Sequence, residues 1–221
     1  MAEPRMLTAA ATRGEVQVNR VLRNTYLLLG MTLAFSTLVT FVAMAMNAPY
    51  LGFFPTLIGF FGLLFLVHKT ADSAWGLATV FLFTGFLGYT LGPLLNLYLS
   101  LPNGVALVGQ ALGLTAGAFI GLSLYAVATR KDFQFLSGFL VAGVFVIMGG
   151  VLINYFAEIP MLSIVISCAV VLFACALILW ETSSVIHGGE TNYIRATVGL
   201  YVSIYNLFAS LLHLLGVFSE D

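Results

Sequence analysis

Residues 181–208 read ETSSVIHGGETNYIRATVGLYVSIYNLF. The stretch opens on Glu181 at the end of an apolar run and bends at Gly188-Gly189. It then re-enters apolar sequence carrying Arg195, Ser203 and Asn206. Polar groups among Leu, Val, Ile and Phe are expensive inside a membrane, so there they mark packing or function. The fold turns on whether this stretch joins two membrane helices. Of the 221 residues, 61% are hydrophobic and 8% charged, where a soluble domain carries about 25% charged. A chain this apolar cannot cover its own surface in water, so the bilayer is its natural solvent. A net charge of −1 leaves no footprint for nucleic acid.

Working outward, seven apolar runs are each near the ~20 residues of a helical span. They predict an all-α membrane domain over 25–221, with helices at about 25–46, 51–68, 75–99, 104–128, 134–156, 160–181 and 196–217. The breaks carry turn chemistry, as in Asn47-Ala48-Pro49, Leu101-Pro102-Asn103-Gly104 and Glu158 to Pro160. Residues 1–24 lack a long apolar stripe and are expected to form a mobile tail with Arg5, Arg13, Arg20 and Arg23. If that tail is cytoplasmic and seven helices come after it, Lys69, Arg130, Lys131 and Arg195 also fall on the cytoplasmic side. All eight basic residues then share one side. That partition supports seven spans, a cytoplasmic N-terminus and a C-terminus on the opposite, periplasmic face.

Small residues suggest how the helices meet. Gly109, Gly113, Gly117 and Gly121 recur every fourth residue in the fourth helix, and Gly85, Gly88 and Gly92 line the third. Such strips let backbones approach closely, so both are expected at helix interfaces, with Pro93 kinking the third helix. In the seventh helix Gly199, Ser203, Asn206, Ser210 and His213 form one small and polar stripe. A stripe of that kind avoids lipid, which places this helix at the centre of the bundle with interhelical hydrogen bonding as its main use.

Glu181 is the one carboxylate expected within or at the end of a span. Burial among helices would make it a candidate proton sensor or cation ligand, with His68 or Lys69 within reach if helices two and six meet. His187, Glu190 and Arg195 are expected in a solvated loop, and Trp180 as an interfacial anchor. Ser210 and His213 share one helix, and a second intramembrane carboxylate is missing, which argues against serine and aspartyl intramembrane proteases. No metal-ligand spacing or cofactor motif appears, so neither catalysis nor a cofactor is expected.

These residues also carry a likeness. GFLGYTLGPLLNLYL, with Gly88, Leu91, Gly92, Pro93 and Leu95, and then Ala111, Thr115, Ala116 and Phe119, resemble the signature of the transmembrane Bax-inhibitor-motif family. Gly117 stands where an aliphatic residue is usual. VLRNTYLLL, TRKDFQFL and the opening stretch look most similar to the YccA branch, bacterial modulators of the membrane protease FtsH. The resemblance implies a bacterial inner-membrane protein that is a slow substrate and competitive inhibitor of FtsH. The protease would engage it through the N-terminal tail, in company with HflK and HflC. Other members of the wider family are pH-sensitive calcium leak channels, in which two aspartates on helices six and seven share a proton beside a basic residue of helix two. By position Glu181 matches the first aspartate and Ser203 the second, with Lys69 or His68 near the basic position. Ser203 cannot ionise, so the pair is broken. A cation leak using Glu181, Ser203 and Asn206 is the alternative function.

Overall fold

The computed structural model describes residues 3–219, with side chains from residue 16. The chain is helical throughout, as its composition requires in a solvent that cannot satisfy backbone groups. The elements are α1 (Glu3–Ala45), α2 (Phe53–Thr70), α3 (Gly76–Leu99), α4 (Gly104–Thr129), a short 3₁₀ turn (Gln134–Leu136), α5 (Ser137–Ala157), α6 (Pro160–Ile186) and α7 (Tyr193–Ser219). Seven helices among the described residues are long and apolar enough to cross a membrane, the first from Val16 to Ala45. The breaks fall where turn residues were expected. Arg130 and Glu158, each with φ of 50°, cap α4 and α5 in the left-handed region. Pro160 opens α6, where its missing N–H has no intrahelical partner to lose.

Several helix bounds differ from expectation, among them the start of α5, at Ser137 after the 3₁₀ turn rather than at 134. The α1 helix begins at Glu3, well before the expected start at 25. Val18, Val21, Leu22 and Thr25 explain the described part of this extension. They recur at helical spacing and face inward, while Arg20 and Arg23 are exposed. The side chains of Arg5 and Arg13 lie outside the described residues. The α6 helix runs five residues beyond 181, to Ile186, which puts Glu181 inside the helix. The α7 helix starts at Tyr193 because the Asn192 side-chain oxygen accepts the Ile194 N–H at 2.8 Å.

The buried residues form three clusters, and α7 contributes to each. Val198, Leu200 and Tyr201 pack with Leu28, Phe83 and Leu87. Phe208 and Leu212 meet Leu107 and Ala111, and Leu207 meets Ala174 and Ile178. The α7 helix packs on α1, α3, α4 and α6, whereas α2 rests mainly on α3 and α5 mainly on α6. The expected central place of the seventh helix is accounted for by its stripe of small and polar residues.

The two glycine strips part company. On α3, a Cβ at Gly88 would come within 2.5 Å of the Ser36 carbonyl oxygen, and one at Gly92 within 2.6 Å of the Ala43 Cβ. That strip is the bed for α1, which continues past Pro93 to Ala45. On α4, Gly109, Gly113, Gly117 and Gly121 are exposed, and a Cβ at any of them would meet nothing within 4 Å. The expectation of a packing strip there is corrected. The α4 helix packs through Leu107, Ala111, Thr115, Ser123 and Ala126 on its other face. Both faces are built of small residues, so spacing alone does not choose between them.

Candidate functional site

Glu181 is carried by α6 at the level of Gly199 on α7. The glycine is what lets the carboxylate sit there, because a Cβ on residue 199 would collide with it. Around it lies a cavity of about 440 Å³ at the end of the bundle that holds Lys69, Arg130 and Arg195. His68, Gln134, Trp180, Glu190 and Arg195 share its lining with Glu181. Among the described residues, nothing donates a hydrogen bond to the Glu181 carboxylate, and Glu190 lines the same cavity. Two further groups in this lining are donors without an acceptor. The Trp180 indole N–H and the Gln134 side-chain amide nitrogen are both buried and unpartnered. A buried donor left unpaired typically costs about 1–3 kcal/mol, so such groups call for an explanation.

The rim of the cavity is tied firmly. Arg195 pairs with Asp72, and the Asn192 amide donates to Asp72 Oδ1 at 2.8 Å and to the Ala71 carbonyl at 3.0 Å. Glu190 Oε1 accepts the Asn192 N–H at 2.8 Å. These bonds clasp the α2–α3 connection to the start of α7. A second clasp joins the α4–α5 connection to α6. Ser183 Oγ accepts the Phe133 N–H at 3.0 Å, and His187 Nε2 lies 3.1 Å from the Arg130 carbonyl oxygen. The expected solvated loop is therefore corrected in part. His187 is exposed yet bonded at both ring nitrogens, and Glu190 and Arg195 are half-buried in the cavity wall.

The structure brings together some of the sequence candidates and separates others. Glu181 and His68 line the same cavity, with His68 Nδ1 directed to the Leu64 carbonyl oxygen at 2.9 Å. Lys69 is exposed beside it and does not line the cavity. Ser203 is fully buried and donates to the Gly199 carbonyl at 2.9 Å. Asn206 lines a different cavity, of about 490 Å³, between α2 and α5, α6 and α7. Further along the same stripe, His213 Nδ1 meets Ser167 Oγ of α6 at 3.0 Å, the interhelical bonding expected of it. Sequence reasoning did not find Gln134. It opens the short 3₁₀ turn ahead of α5, and the approach of that turn to α6 brings it to the Glu181 cavity.

Comparison with known proteins agrees with this architecture. The family model described as "Inhibitor of apoptosis-promoting Bax1" matches residues 18–220. The chain is 53% identical over 221 residues to an uncharacterized Pseudomonas aeruginosa protein, covering 100% of both. It is 50% identical over 206 residues to the Escherichia coli K12 protein named modulator of FtsH protease YccA, covering 93% of this chain and 94% of that one. A second Escherichia coli strain carries an inner membrane protein YccA with the same identity and coverage. A match across nearly all of the helices, from two independent comparisons, places the chain in the Bax-inhibitor (Bax1-I) family, among the proteins similar to YccA.

Proposed function

We propose that this protein is a multi-pass bacterial inner-membrane modulator of the FtsH protease, acting as its slow substrate and competitive inhibitor. The observation that carries the reading is the 50% identity over 206 residues to a protein named as such a modulator. On this reading the basic end of the bundle is cytoplasmic, and the protease takes hold of residues 1–24. A segment of that length reaches up to about 80 Å when extended. The rest of α1, of which residues 3–24 are the first part, resists extraction. Ser36 Oγ lies 2.5 Å from the Tyr201 hydroxyl, and Thr40 donates to the Gly88 carbonyl at 2.8 Å. A protease that has engaged the N-terminus must break this packing before it can proceed, and while it stalls it is occupied. The activity needs no catalytic group on this chain.

A cation leak would need Glu181, Ser203 and Asn206 on one pathway. Ser203 lines neither the Glu181 cavity nor the adjoining one at Asn206, and its hydroxyl is taken up by the Gly199 carbonyl, so the modulator reading is preferred. The test is removal of residues 2–20 in a strain with active FtsH. Degradation should be lost while the helical bundle still folds and inserts. A truncated chain degraded as fast as the full one would defeat the proposal.

A further inference from the structure

The hold of the bundle on α1 changes at Thr25. From there on the inward face is closed. Thr25 is fully buried, Leu28 and Leu29 are nearly so, and the Thr25 carbonyl accepts from Thr197 Oγ1 at 3.2 Å. Ahead of it, Val18, Val21 and Leu22 continue the same stripe at helical spacing but are only half-buried. Across from them stand Val127 of α4 and Val185 and Ile186 of α6, and a cavity of about 590 Å³ lies between. Among the described residues, no side chain from 16 to 24 makes a hydrogen bond or an ion pair with the rest of the chain.

A contact of this kind is weak by construction. Apolar atoms that face a gap lose the attractive contacts of their far side. With few buried contacts and no polar bond, the segment can open locally while the helix beyond Thr25 stays packed. We propose that residues 16–24 are a strap that docks on the ends of α4 and α6 and lifts from them, and that docking withholds this segment from the protease. Lifted, the strap leaves residues 1–24 as the handle. Docked, it shortens the handle to the residues ahead of Val18, and the extended reach falls from about 80 Å to about 60 Å. The slowness of the substrate then has a second source, ahead of the packing of α1 in the membrane. The inference rests on the FtsH reading for this consequence, and on the stripe and the cavity for the docking itself.

The docking is read first without the protease. Arg20 and Arg23 lie on the exposed side of the strap, and trypsin cuts after them only when the strap has lifted and unwound. Where lifting and docking are fast, the cleavage rate follows the lifted population. The full chain in detergent is digested beside three variants. Val21→Asp should raise cleavage at both sites roughly tenfold, the factor for losing one half-buried aliphatic side chain. Val127→Phe fills the cavity from α4 and leaves the strap sequence untouched, and it should lower cleavage severalfold. Val16→Asp makes the same change as at Val21 on the exposed side of the strap and should leave cleavage as it is. In a strain with active FtsH, the degradation rates of the four chains should rank in the same order. Equal cleavage of all four chains by trypsin overturns the docking. Cleavage that ranks as expected while degradation does not overturns the control of the handle. A parent chain that FtsH leaves intact defeats the FtsH reading and that control with it, while the docking stands or falls by trypsin alone.

Discussion

The glycine strips of α3 and α4 look alike in sequence and meet opposite fates. Gly85, Gly88 and Gly92 receive α1 so closely that a methyl group at Gly88 would press on the Ser36 carbonyl. Gly109, Gly113, Gly117 and Gly121 face away from the rest of the chain. The difference lies in what stands opposite. The α1 helix offers Ser36 and Thr40, and the Thr40 hydroxyl reaches the Gly88 carbonyl at 2.8 Å. Close approach there is joined to a hydrogen bond across the interface. On α4 the inward face holds Ala111 and Thr115, small enough to pack without glycine. Small spacing is thus a permission for contact, and a partner that uses the permission makes it an interface.

This comparison can be tested by filling the strips. Gly88→Leu should have the largest effect. The side chain has to displace α1 backbone, at a cost of about 3 kcal/mol or more, and the chain should fail to give a cooperative unfolding transition in detergent. Gly199→Ala comes next, at about 1–3 kcal/mol. Its methyl group would collide with a side chain rather than a backbone, so the bundle should persist with a moved Glu181 carboxylate. A lower midpoint of thermal unfolding with the helical content retained would show this. Gly117→Ala should be the mildest, within about 0.5 kcal/mol of the parent chain. A loss at Gly117 comparable with that at Gly88 would mean that the outer strip is used, and the contrast between the two strips would fail.

Composition and turn residues were enough to read the seven helices, because the hydrophobic length of a span and its breaks are local properties. The centrality of α7 was also legible, since Ser203, Asn206 and His213 recur on one side of an apolar helix. Pairings between distant segments were not. Asp72 and Arg195 meet across the bundle, and neither shows in its own neighbourhood which charge it will find. Glu181 stood out as a carboxylate in apolar sequence, yet its setting depends on Gly199 of another helix, which leaves it room. The early start of α1 was not legible because Val18, Val21 and Leu22 make a stripe too short to stand out without the helix that continues it.

The bonds that hold α1 are spread along its length. The Thr25 carbonyl accepts from Thr197, Ser36 meets Tyr201, Thr40 reaches Gly88, and the Met44 carbonyl accepts from Asn96. From the first to the last is about 30 Å of helix. A force along the axis of α1 from its N-terminus therefore loads these contacts in shear, together rather than one after another. Peeling the same helix sideways would open them singly, as a zipper opens. For a machine that pulls on one end of the chain, direction matters as much as stability, and this bundle presents its most resistant direction first.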